Sequence, residues 1–507
     1  MTNDPSTAET RNHLLVESFL EKPTWIEAKE STKTVEAGRR GRFASIATQE
    51  WFTAVVYLIA DIAIWVLLYG TIGYFRRDAF FVGPLDFVLV DLITLGVLLQ
   101  ALYIIGGYDR NTETRSLAYG MEHILAVIGA AAVSSLLIYS AAAYDQTMKP
   151  SRGVMLASFV AFIPFSLVYR RLVRKLVTSS TANRAFLVVG SGELAADFYR
   201  AYRSSINRQR LEFVDLERQR VGQHIAGPGS PIIEGDIVTK LANINERYSG
   251  VILAERVDRL HPNLLELLVR TQFQRMRVYT LESFYETHWR HVPVHSLDPF
   301  WPLQMGFQLA RTSPYHYLKR LFDLAFSSVA LILSSPVIGV VALLNFWQNG
   351  RPVLFRQVRV GRESEPFTIL KFRTMSHPPT DEVYDIYTRE GDPRITKLGR
   401  WLRKLRLDEL PQLWNVLRGD MSLIGPRAEW TKCSERYEKK IPFYHFRHLV
   451  KPGITGWAQV NYPYGESDED AIEKLKYDLY YIRHYSLKLD AMIVLKTLHV
   501  MLFGKGR

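Results

Sequence analysis

Two adjacent acidic residues, Asp408 and Glu409, lie between a strongly basic segment and a Gly-Pro-Arg turn that ends at Arg427. The basic segment contributes Lys397, Arg400, Arg403, Lys404 and Arg406. A carboxylate can attack phosphorus or bind Mg²⁺, and neighbouring cations neutralise the oxygens of a phosphate ester. The combination predicts a site for an anionic, metal-bound substrate, most simply a phosphate ester.

Consecutive helical residues point about 100° apart, so we expect the two carboxylates to have different roles rather than to be equivalent ligands. The alternative is a surface Asp-Glu pair at the start of a helix. Lys371, Arg373 and Arg427 are candidates for holding phosphates, because arginine offers a planar fork of donors and lysine a compact charge. Surface salt bridges are the alternative for each. Arg356 is a further candidate, although a cation just past a membrane helix can simply meet lipid headgroups.

The chain has 507 residues and a formal net charge of +12. This length indicates several domains, and the charge suits anionic lipid, phosphorylated substrates or nucleic acid. Nucleic acid is not expected as a partner, because the sequence has no zinc-finger spacing, helix-turn-helix or RNP-like motif. A single cysteine, Cys433, excludes a disulfide framework within one chain.

Four apolar segments, at about 51–75, 84–107, 122–143 and 153–170, are near the ~20 residues that a helix needs to cross a bilayer. They predict a four-helix transmembrane bundle at 49–176, after a polar tail at 1–48 that does not have the pattern of a cleavable signal. Asp61 and Asp91 fall inside predicted spans. For both we favour a structural ion pair within the bundle over a proton relay.

Basic residues indicate which ends of the bundle are cytoplasmic. The tail carries Arg39, Arg40 and Arg42, and a second cluster of Arg170, Arg171, Arg174 and Lys175 follows the fourth span. By the positive-inside rule both ends are cytoplasmic, which an even number of spans permits.

Residues 183–305 alternate strand and helix patterns and predict an α/β, Rossmann-like middle domain. A strand ends at Gly190, and Gly190 and Gly192 then form a turn that opens a helix, as in dinucleotide-binding folds. Asp215 or Glu212 could contact a ribose. The favoured alternative is a module without a cofactor that serves packing or regulation.

Residues 317–348 predict a membrane helix that enters and leaves on one side. Its apolar run has basic residues on both flanks and contains Ser335 and Pro336. Proline removes a backbone donor and bends a helix, and a serine hydroxyl can bond to the carbonyl that this leaves without a partner. Two basic flanks indicate that both ends are cytoplasmic. An ordinary fifth span with a proline kink is the alternative.

Two further segments, 395–407 and 487–503, combine apolar residues at helical spacing with basic residues. This pattern is typical of amphipathic helices lying at an anionic membrane surface. Burial against a neighbouring domain is the alternative for both.

From about residue 313 the chain resembles the bacterial sugar transferases, the monotopic polyprenyl-phosphate phosphoglycosyl transferases. The resemblance rests on motifs in the family's order: Lys319-Arg320-Leu-Phe-Asp323, Ser335-Pro336, Lys371-Phe-Arg-Thr-Met375, Leu407-Asp-Glu-Leu-Pro-Gln412, Gly425-Pro426-Arg427 and Lys451-Pro-Gly-Ile-Thr-Gly-Trp-Ala-Gln459. The preceding spans and α/β module resemble the long form of this family. The implied fold is a multidomain membrane protein with an α-rich catalytic domain at 313–507.

The resemblance also implies a reaction: transfer of a sugar-1-phosphate from a UDP-sugar to undecaprenyl phosphate, with release of UMP. Asp408 would be the nucleophile, Glu409 its partner, and the two together would help bind Mg²⁺. Pro426 and Gln459 would contribute to substrate binding. The implied location is the cytoplasmic face of a bacterial inner membrane, and the long members suggest a homodimer. The implied pathway is exopolysaccharide, capsule or O-antigen synthesis.

Two departures from the family pattern limit this transfer of roles. Ala428 follows Gly-Pro-Arg where many members have a second proline, and the segment after Gln459 lacks an arginine that many members carry. A non-catalytic membrane scaffold is one alternative function. A nucleotide-sugar oxidoreductase or epimerase is another, but Tyr199, Tyr202 and Tyr248 lack the lysine four residues on that this chemistry usually needs.

Overall fold

The computed structural model describes residues 50–503 with gaps. The gaps are 78–84, 110–111, 144–151, 182–183, 206–208, 218, 236, 238–239, 241–246, 257–259, 274–275, 299, 304–305, 308, 377–391, 463–464 and 466. The predicted tail at 1–48 lies outside the described residues. The chain divides into two compact units, Met1–His288 and Trp289–Arg507.

The N-terminal unit begins with four helices: α1 (Glu50–Arg77), α2 (Leu85–Ile104), α3 (Leu117–Ala141) and α4 (Arg152–Thr181). Helix α1 packs along α4, and α2 packs along α3. Many large apolar side chains face outward, among them Ile59, Leu67 and Val160, each at least 59% exposed. An apolar outer surface on a helical bundle suits contact with lipid rather than water.

Four helices in the described part of the chain are long and apolar enough to cross a membrane: Trp51–Arg76, Leu117–Ser140, Arg152–Lys175 and Tyr315–Asn349. Three of them correspond to predicted spans. The predicted span at 84–107 forms helix α2, of which Asp91–Ile104 counts as a shorter apolar helix. The fourth long helix is the segment predicted to enter and leave on one side.

Asp61 has the structural partner that was predicted for it. Its carboxylate accepts hydrogen bonds from Arg170 Nη2, at 2.5 Å, and from the Tyr169 hydroxyl. The side chains of Asp61 and Arg170 are both fully buried. Counting Arg170 with the cytoplasmic loop charges was therefore wrong. Helix α4 continues past it to Thr181, so this arginine lies within the bundle.

The rest of the N-terminal unit is a five-stranded parallel sheet with helices. The strands are β1 (Ala185–Val189), β2 (Arg210–Val214), β3 (Ile233–Glu234), β4 (Tyr248–Leu253) and β5 (Val278–Thr280), in the spatial order β3-β2-β1-β4-β5. The helices are α5 (Glu193–Ser204), α6 (Pro262–Phe273) and α7 (Leu281–Trp289). All five β1 residues are buried, as expected for a central parallel strand covered on both faces.

The C-terminal unit starts earlier than predicted. Residues from Trp289 onward pack with it: Trp457 Nε1 donates to the Arg290 carbonyl at 2.9 Å, and Val292 N donates to the Lys476 carbonyl at 3.1 Å. Trp301 is fully buried. The end of the segment assigned to the middle domain is thus part of the core of the second unit.

The helices of the C-terminal unit are α8 (Leu309–Thr312), α9 (Tyr315–Asn349), α10 (Lys397–Lys404), α11 (Gln412–Arg418), α12 (Thr431–Lys440), α13 (Trp457–Asn461), α14 (Asp468–Arg483) and α15 (Leu487–Phe503). Its strands form an antiparallel hairpin, β6 (Leu354–Val360) and β7 (Pro366–Phe372), and a short parallel pair, β8 (Ser422–Ile424) and β9 (Gly453–Thr455).

Helix α9 remains helical through Pro336. Proline cannot donate to the carbonyl four residues earlier, which belongs to Ile332. The Ser335 hydroxyl donates to that carbonyl instead, at 2.7 Å, and the Ser334 hydroxyl donates to the Ala330 carbonyl at 2.6 Å. The predicted hydrogen bond from a serine hydroxyl to the carbonyl that loses its backbone donor at the proline is confirmed.

The Asp61–Arg170 pair gives a stability prediction. Arg170→Met should destabilise the bundle by about 3–5 kcal/mol, because it leaves a buried carboxylate without its cation. The measurement is the midpoint of thermal aggregation of detergent-solubilised protein, followed by size-exclusion chromatography. Arg171→Met, at an exposed position of the same helix, is the control. The double variant Asp61→Asn/Arg170→Met should recover part of the loss, and a double variant worse than Arg170→Met alone would contradict the pairing.

Candidate active site

Asp408 and Glu409 lie in a single 3₁₀ turn, Leu407–Glu409, between α10 and α11. Arg406, just before it, adopts a left-handed conformation with φ of 57°, which is uncommon for a residue with a Cβ. Pro411 follows at the N-cap of α11. This sharp reversal directs the two carboxylates inward, and Asp408 is only 8% exposed.

Glu409 is held by two of the predicted cations. Lys371 Nζ on β7 donates to Glu409 Oε1 at 2.9 Å, and Arg427 Nη2 lies 3.6 Å from the same oxygen. The structure thus brings together Asp408, Glu409, Lys371 and Arg427 from three separate stretches of sequence. Among the described residues, none hydrogen-bonds to the Asp408 carboxylate or pairs with it.

The two carboxyl groups differ in their electrostatics. Burial, and then the adjacent Glu409 charge, raise the pKa of Asp408 above its ordinary value despite Lys371. Burial alone would raise the pKa of Glu409, but Lys371 and Arg427 hold it well below its usual range. Glu409 is therefore a fixed anion committed to its cations. Asp408 keeps an oxygen that can react, which agrees with the predicted division of roles.

Strand register separates Arg356 from this site. In the β6–β7 hairpin Phe355 pairs with Lys371, so Arg356 points to the opposite face, where it is exposed. Arg359, four pairs further along, shares the face of Lys371. Burial lowers the pKa of Lys371, and Arg427 and Arg359 lower it further. The structure therefore does not bring Arg356 to the other site residues, and it brings Arg359 instead. Side chains alternate between the two faces of a strand, so this difference between Arg356 and Arg359 would follow from the sequence if the pairing of β6 with β7 were known.

Arg373 lies beside the site but is engaged with the backbone. Its Nε donates to the Met375 carbonyl at 3.0 Å, Nη1 to the Asn349 carbonyl at 3.2 Å and Nη2 to the Ser376 carbonyl at 2.5 Å. These bonds join the end of α9 to the strand that carries Lys371. The geometry favours a positioning role over the direct phosphate contact predicted for this arginine.

The Gly-Pro-Arg turn is packed against the Lys-Pro-Gly-Ile-Thr-Gly motif. Gly453 N donates to the Pro426 carbonyl at 2.8 Å, and Gly425 N donates to the Thr455 carbonyl at 2.9 Å. A Cβ on Gly453 would lie 2.1 Å from Gly425 N, so only glycine permits this approach. Pro426 therefore contributes its carbonyl to a backbone junction that positions Arg427.

Gln459 lies on α13, beyond this junction. Its Nε2 donates to the Ile454 carbonyl at 2.9 Å, and its buried Oε1 has no hydrogen-bond partner among the described residues. The geometry places Gln459 beside the motif that supports the Gly-Pro-Arg turn. In the part of the chain that the structure describes, its side chain does not hydrogen-bond to either carboxylate.

Asn415 supports the site and was not found by sequence reasoning. Its Nδ2 donates to the Thr368 carbonyl at 2.8 Å, and its Oδ1 accepts from Leu370 N at 3.0 Å. The residue is 1% exposed. It fastens α11, which follows the carboxylates, to β7, which carries Lys371. In the sequence, Asn415 is marked only by its position three residues after Gln412, the last residue of the motif that contains the two carboxylates.

The carboxylates suit a Mg²⁺ ion that takes most of its ligands from substrate. No cluster of three or more metal-ligating side chains occurs among the described residues. Mg²⁺ commonly uses one or two carboxylates with phosphate oxygens and water. Asp408 and the second oxygen of Glu409 would fit that arrangement, and the cations beside them would bind the remaining phosphate charge.

The glycine turn of the middle domain gives no support for a bound dinucleotide. A Cβ on Gly190 would lie 2.6 Å from the Ala254 carbonyl oxygen, so strand packing already requires glycine there. The carboxylate of Glu255 lies 3.9 Å from the position of a Cβ on Gly192, where a phosphate would need to approach. Glu212 is occupied by Lys240 at 2.6 Å and Arg247 at 2.9 Å.

Comparison with known proteins agrees with the motif pattern. Residues 314–504 match the family model of the bacterial sugar transferases. An uncharacterized sugar transferase of Haemophilus influenzae is 32% identical over 372 residues, which cover 68% of this chain and 75% of the relative. The chain belongs to the bacterial sugar transferase family. The match spans both units of this family member.

Other family relatives have named activities. UDP-N-acetylgalactosamine-undecaprenyl-phosphate N-acetylgalactosaminephosphotransferase of Aeromonas hydrophila is 38% identical over 260 residues, covering 51% of this chain and 60% of the relative. UDP-glucose:undecaprenyl-phosphate glucose-1-phosphate transferase of Escherichia coli is 44% identical over 182 residues, covering 36% of this chain and 39% of the relative. The chain thus spans less than two thirds of the length of these two relatives.

Proposed function

We propose that this protein transfers a sugar-1-phosphate from a UDP-sugar to undecaprenyl phosphate, with release of UMP. The observation that carries the proposal is the pair of consecutive carboxylates with opposite pKa shifts, one of them held by Lys371 and Arg427. The names of the relatives support the same donor and acceptor classes. The products would enter the synthesis of an exopolysaccharide, capsule or O-antigen.

In the proposed reaction an Asp408 carboxylate oxygen attacks the phosphorus next to the sugar, and the bond between this phosphorus and the oxygen bridging to the uridine phosphate breaks. UMP leaves with that bridging oxygen, and the sugar phosphate remains on Asp408. A phosphate oxygen of undecaprenyl phosphate then attacks the same phosphorus and restores the carboxylate. Bound Mg²⁺ would neutralise diphosphate charge, while Arg427, Lys371 and Arg359 supply cationic donors near the site.

The proposal places the reaction at the cytoplasmic face of the inner membrane. At 35 residues and ~1.5 Å per residue, α9 would be about 52 Å long if straight, against ~30 Å of hydrocarbon. Asp323 near its start accepts from Leu423 N at 3.0 Å, and Asn345 near its end donates to the Arg373 carbonyl at 2.6 Å. Both ends are thus attached to one unit, while Ile332 and Leu333 between them are more than 70% exposed. These contacts support a helix that enters and leaves on one side.

Two amphipathic segments support the same location. Trp401 and Leu405 are exposed beside the cationic side chains of α10. On α15, exposed apolar residues recur along one face at Leu487, Val494 and Leu498. Such surfaces suit the boundary between an anionic membrane and water. A site at this level could meet a soluble donor and a lipid acceptor together.

For the middle domain we propose a Rossmann-like module without a cofactor, used for packing or regulation. Its strand order and parallel pairing support the fold, and the packing of Gly190 against the Ala254 carbonyl accounts for that glycine without a nucleotide. A homodimer is proposed from the resemblance to long family members alone.

Asp408→Asn should abolish UMP release by purified protein supplied with Mg²⁺, undecaprenyl phosphate and a panel of UDP-sugars. The amide cannot form the phosphosugar ester, so we expect a loss of at least about 10³-fold. Glu435→Gln, an exposed change on α12, should retain the rate. Turnover by Asp408→Asn at the rate of the parent protein would remove Asp408 from the nucleophile role.

The raised pKa of Asp408 predicts a pH profile. A nucleophilic carboxylate must be ionised, so kcat/KM should fall with decreasing pH through a value above the ordinary ~3.9 for aspartate. Lys371→Met removes a cation that favours ionisation, and should therefore move this acid limb to higher pH. The measurement is kcat/KM from about pH 4 to pH 8. An exposed lysine change, Lys439→Met, is the control, and an acid limb unmoved by Lys371→Met would contradict the electrostatic assignment.

The membrane path of α9 can be tested by cysteine labelling in a Cys433→Ala background. Single cysteines replace Tyr317 and Gln348, which are exposed near the two ends of the helix. A membrane-impermeant maleimide should label both in inverted membrane vesicles and neither in intact spheroplasts. A cysteine at Val337 should resist labelling in both preparations. Labelling of the two ends from opposite sides would establish a straight crossing and overturn this part of the proposal.

A further inference from the structure

A cationic cleft in the C-terminal unit is lined by residues other than Asp408 and Glu409. It contains about 370 Å³ of space, part of which is open solvent. Its charged walls come from the start of α9, the β6–β7 turn and the segment before β9: Lys319, Arg320, Asp323, Arg362 and Lys451. Four cations against one carboxylate leave an excess of positive charge, so the cleft suits an anion.

Two of the charged side chains of the cleft, Lys319 and Asp323, already have partners within the protein. Lys319 forms an ion pair with Asp490, which also accepts from the Tyr481 hydroxyl at 2.8 Å. Asp323 accepts from the Ser422 hydroxyl and from Leu423 N, both at 3.0 Å, so its carboxylate serves the α9–β8 junction. Arg362 Nη2 lies 3.2 Å from Oε1 of the exposed Glu363 and is therefore partly paired at the rim. Arg320 and Lys451 remain, and Asp323 alone does not balance them.

Arg320 provides a fixed donor. It donates from Nη1 to the Val416 carbonyl at 2.6 Å and from Nη2 to the Leu417 carbonyl at 2.8 Å, at the C-terminal end of α11. Its Nη2 and Lys451 Nζ lie 3.3 and 3.6 Å from the position that a Cβ on Gly419 would occupy. Two cationic groups are thus held close together on one side of the cleft.

Lys451 is the residue of the cleft that most strongly indicates an anion site. Within the described part of the chain its ammonium has no hydrogen-bond or ion-pair partner, although the residue is partly buried. Burial, and then Arg320, lower its pKa. Arg362 faces the cleft beside His316, with 3.4 Å between Nη1 and the imidazole Nε2. A partly buried ammonium close to other cations is more favourable when an anion accompanies it.

We propose that this cleft binds a phosphate group, with Lys451, Arg362 and Arg320 as its donors. The cleft adjoins the part of α9 that carries exposed apolar residues, Leu321 and Phe326, which are 63% and 61% exposed. A lipid headgroup and a free phosphate both offer the required chemistry. The site is separate from Asp408, and the inference does not rest on the proposed transfer reaction.

The test measures how fast Lys451 is acetylated by a water-soluble reagent, using peptide mass spectrometry of the full-length protein. One arm adds inorganic phosphate to protein in neutral detergent. The other compares nanodiscs of phosphatidylcholine with nanodiscs containing phosphatidylglycerol. An occupied site should slow acetylation of Lys451 several-fold, while Lys439 on the exposed face of α12 should react equally in all samples.

Slowing by inorganic phosphate assigns the site to soluble phosphate, and slowing only in phosphatidylglycerol nanodiscs assigns it to a headgroup. Arg362→Gln should remove the slowing while the thermal transition stays within that of the parent protein. Asp408→Asn should keep it, which separates this site from the transfer reaction. Equal acetylation of Lys451 in every sample, with the parent protein folded, would overturn the proposal.

Discussion

Two carboxylates on consecutive residues, turned into a partly buried site, repel each other and lose hydration, so cations must be close. Lys371 and Arg427 meet this need at Glu409, the first through a 2.9 Å hydrogen bond. The compensation is uneven, because both cations contact Glu409, whereas within the described residues no cation forms an ion pair with Asp408. One anion is thereby stabilised, and the other is the carboxylate proposed as the nucleophile. Several contacts of the C-terminal unit maintain this electrostatic difference between Asp408 and Glu409.

These contacts consist mainly of backbone junctions. Asn415 attaches α11 to the strand that carries Lys371, and the close approach of Gly425 and Gly453 holds the turn that carries Arg427. Arg373 ties the same strand to the end of α9. None of these residues needs to touch substrate. Each constrains the separation of a cation from the carboxylates, which a Coulomb interaction in a partly buried site makes important.

The same junctions connect the site with the membrane helix. Arg320, on the first turns of α9, bonds to the carbonyls at the end of α11, and the carboxylates precede the start of α11. Asn345 attaches the far end of α9 beside Arg373. Helix α9 is thus attached near both of its ends to elements that flank the site. In the N-terminal bundle, the Asp61–Arg170 pair plays the corresponding role of satisfying buried charge within helices.

Local signals in the sequence were sufficient for the elements and for the central residues. Apolar runs of membrane-spanning length identified the helices, the alternation of strands and helices identified the parallel sheet, and Asp408, Glu409, Lys371 and Arg427 were chosen by residue type near basic clusters. A hydrogen bond from Ser335 to the carbonyl that loses its backbone donor at Pro336 could be predicted because both groups lie within a few residues of the proline. These features depend on neighbours a few residues away, which the sequence displays directly.

Only the tertiary structure decided which distant residues meet. Pairing of Phe355 with Lys371 turned Arg356 away and brought Arg359 to the site, and no local pattern specifies that register. Arg170 proved to be a buried partner of Asp61, across 109 residues of sequence, rather than a loop charge. The roles of Asn415 and the cleft at Lys451 likewise arise from long-range packing. Residue types and short spacings determine what chemistry is available, whereas strand register and helix packing determine which charges come within a few ångströms of each other.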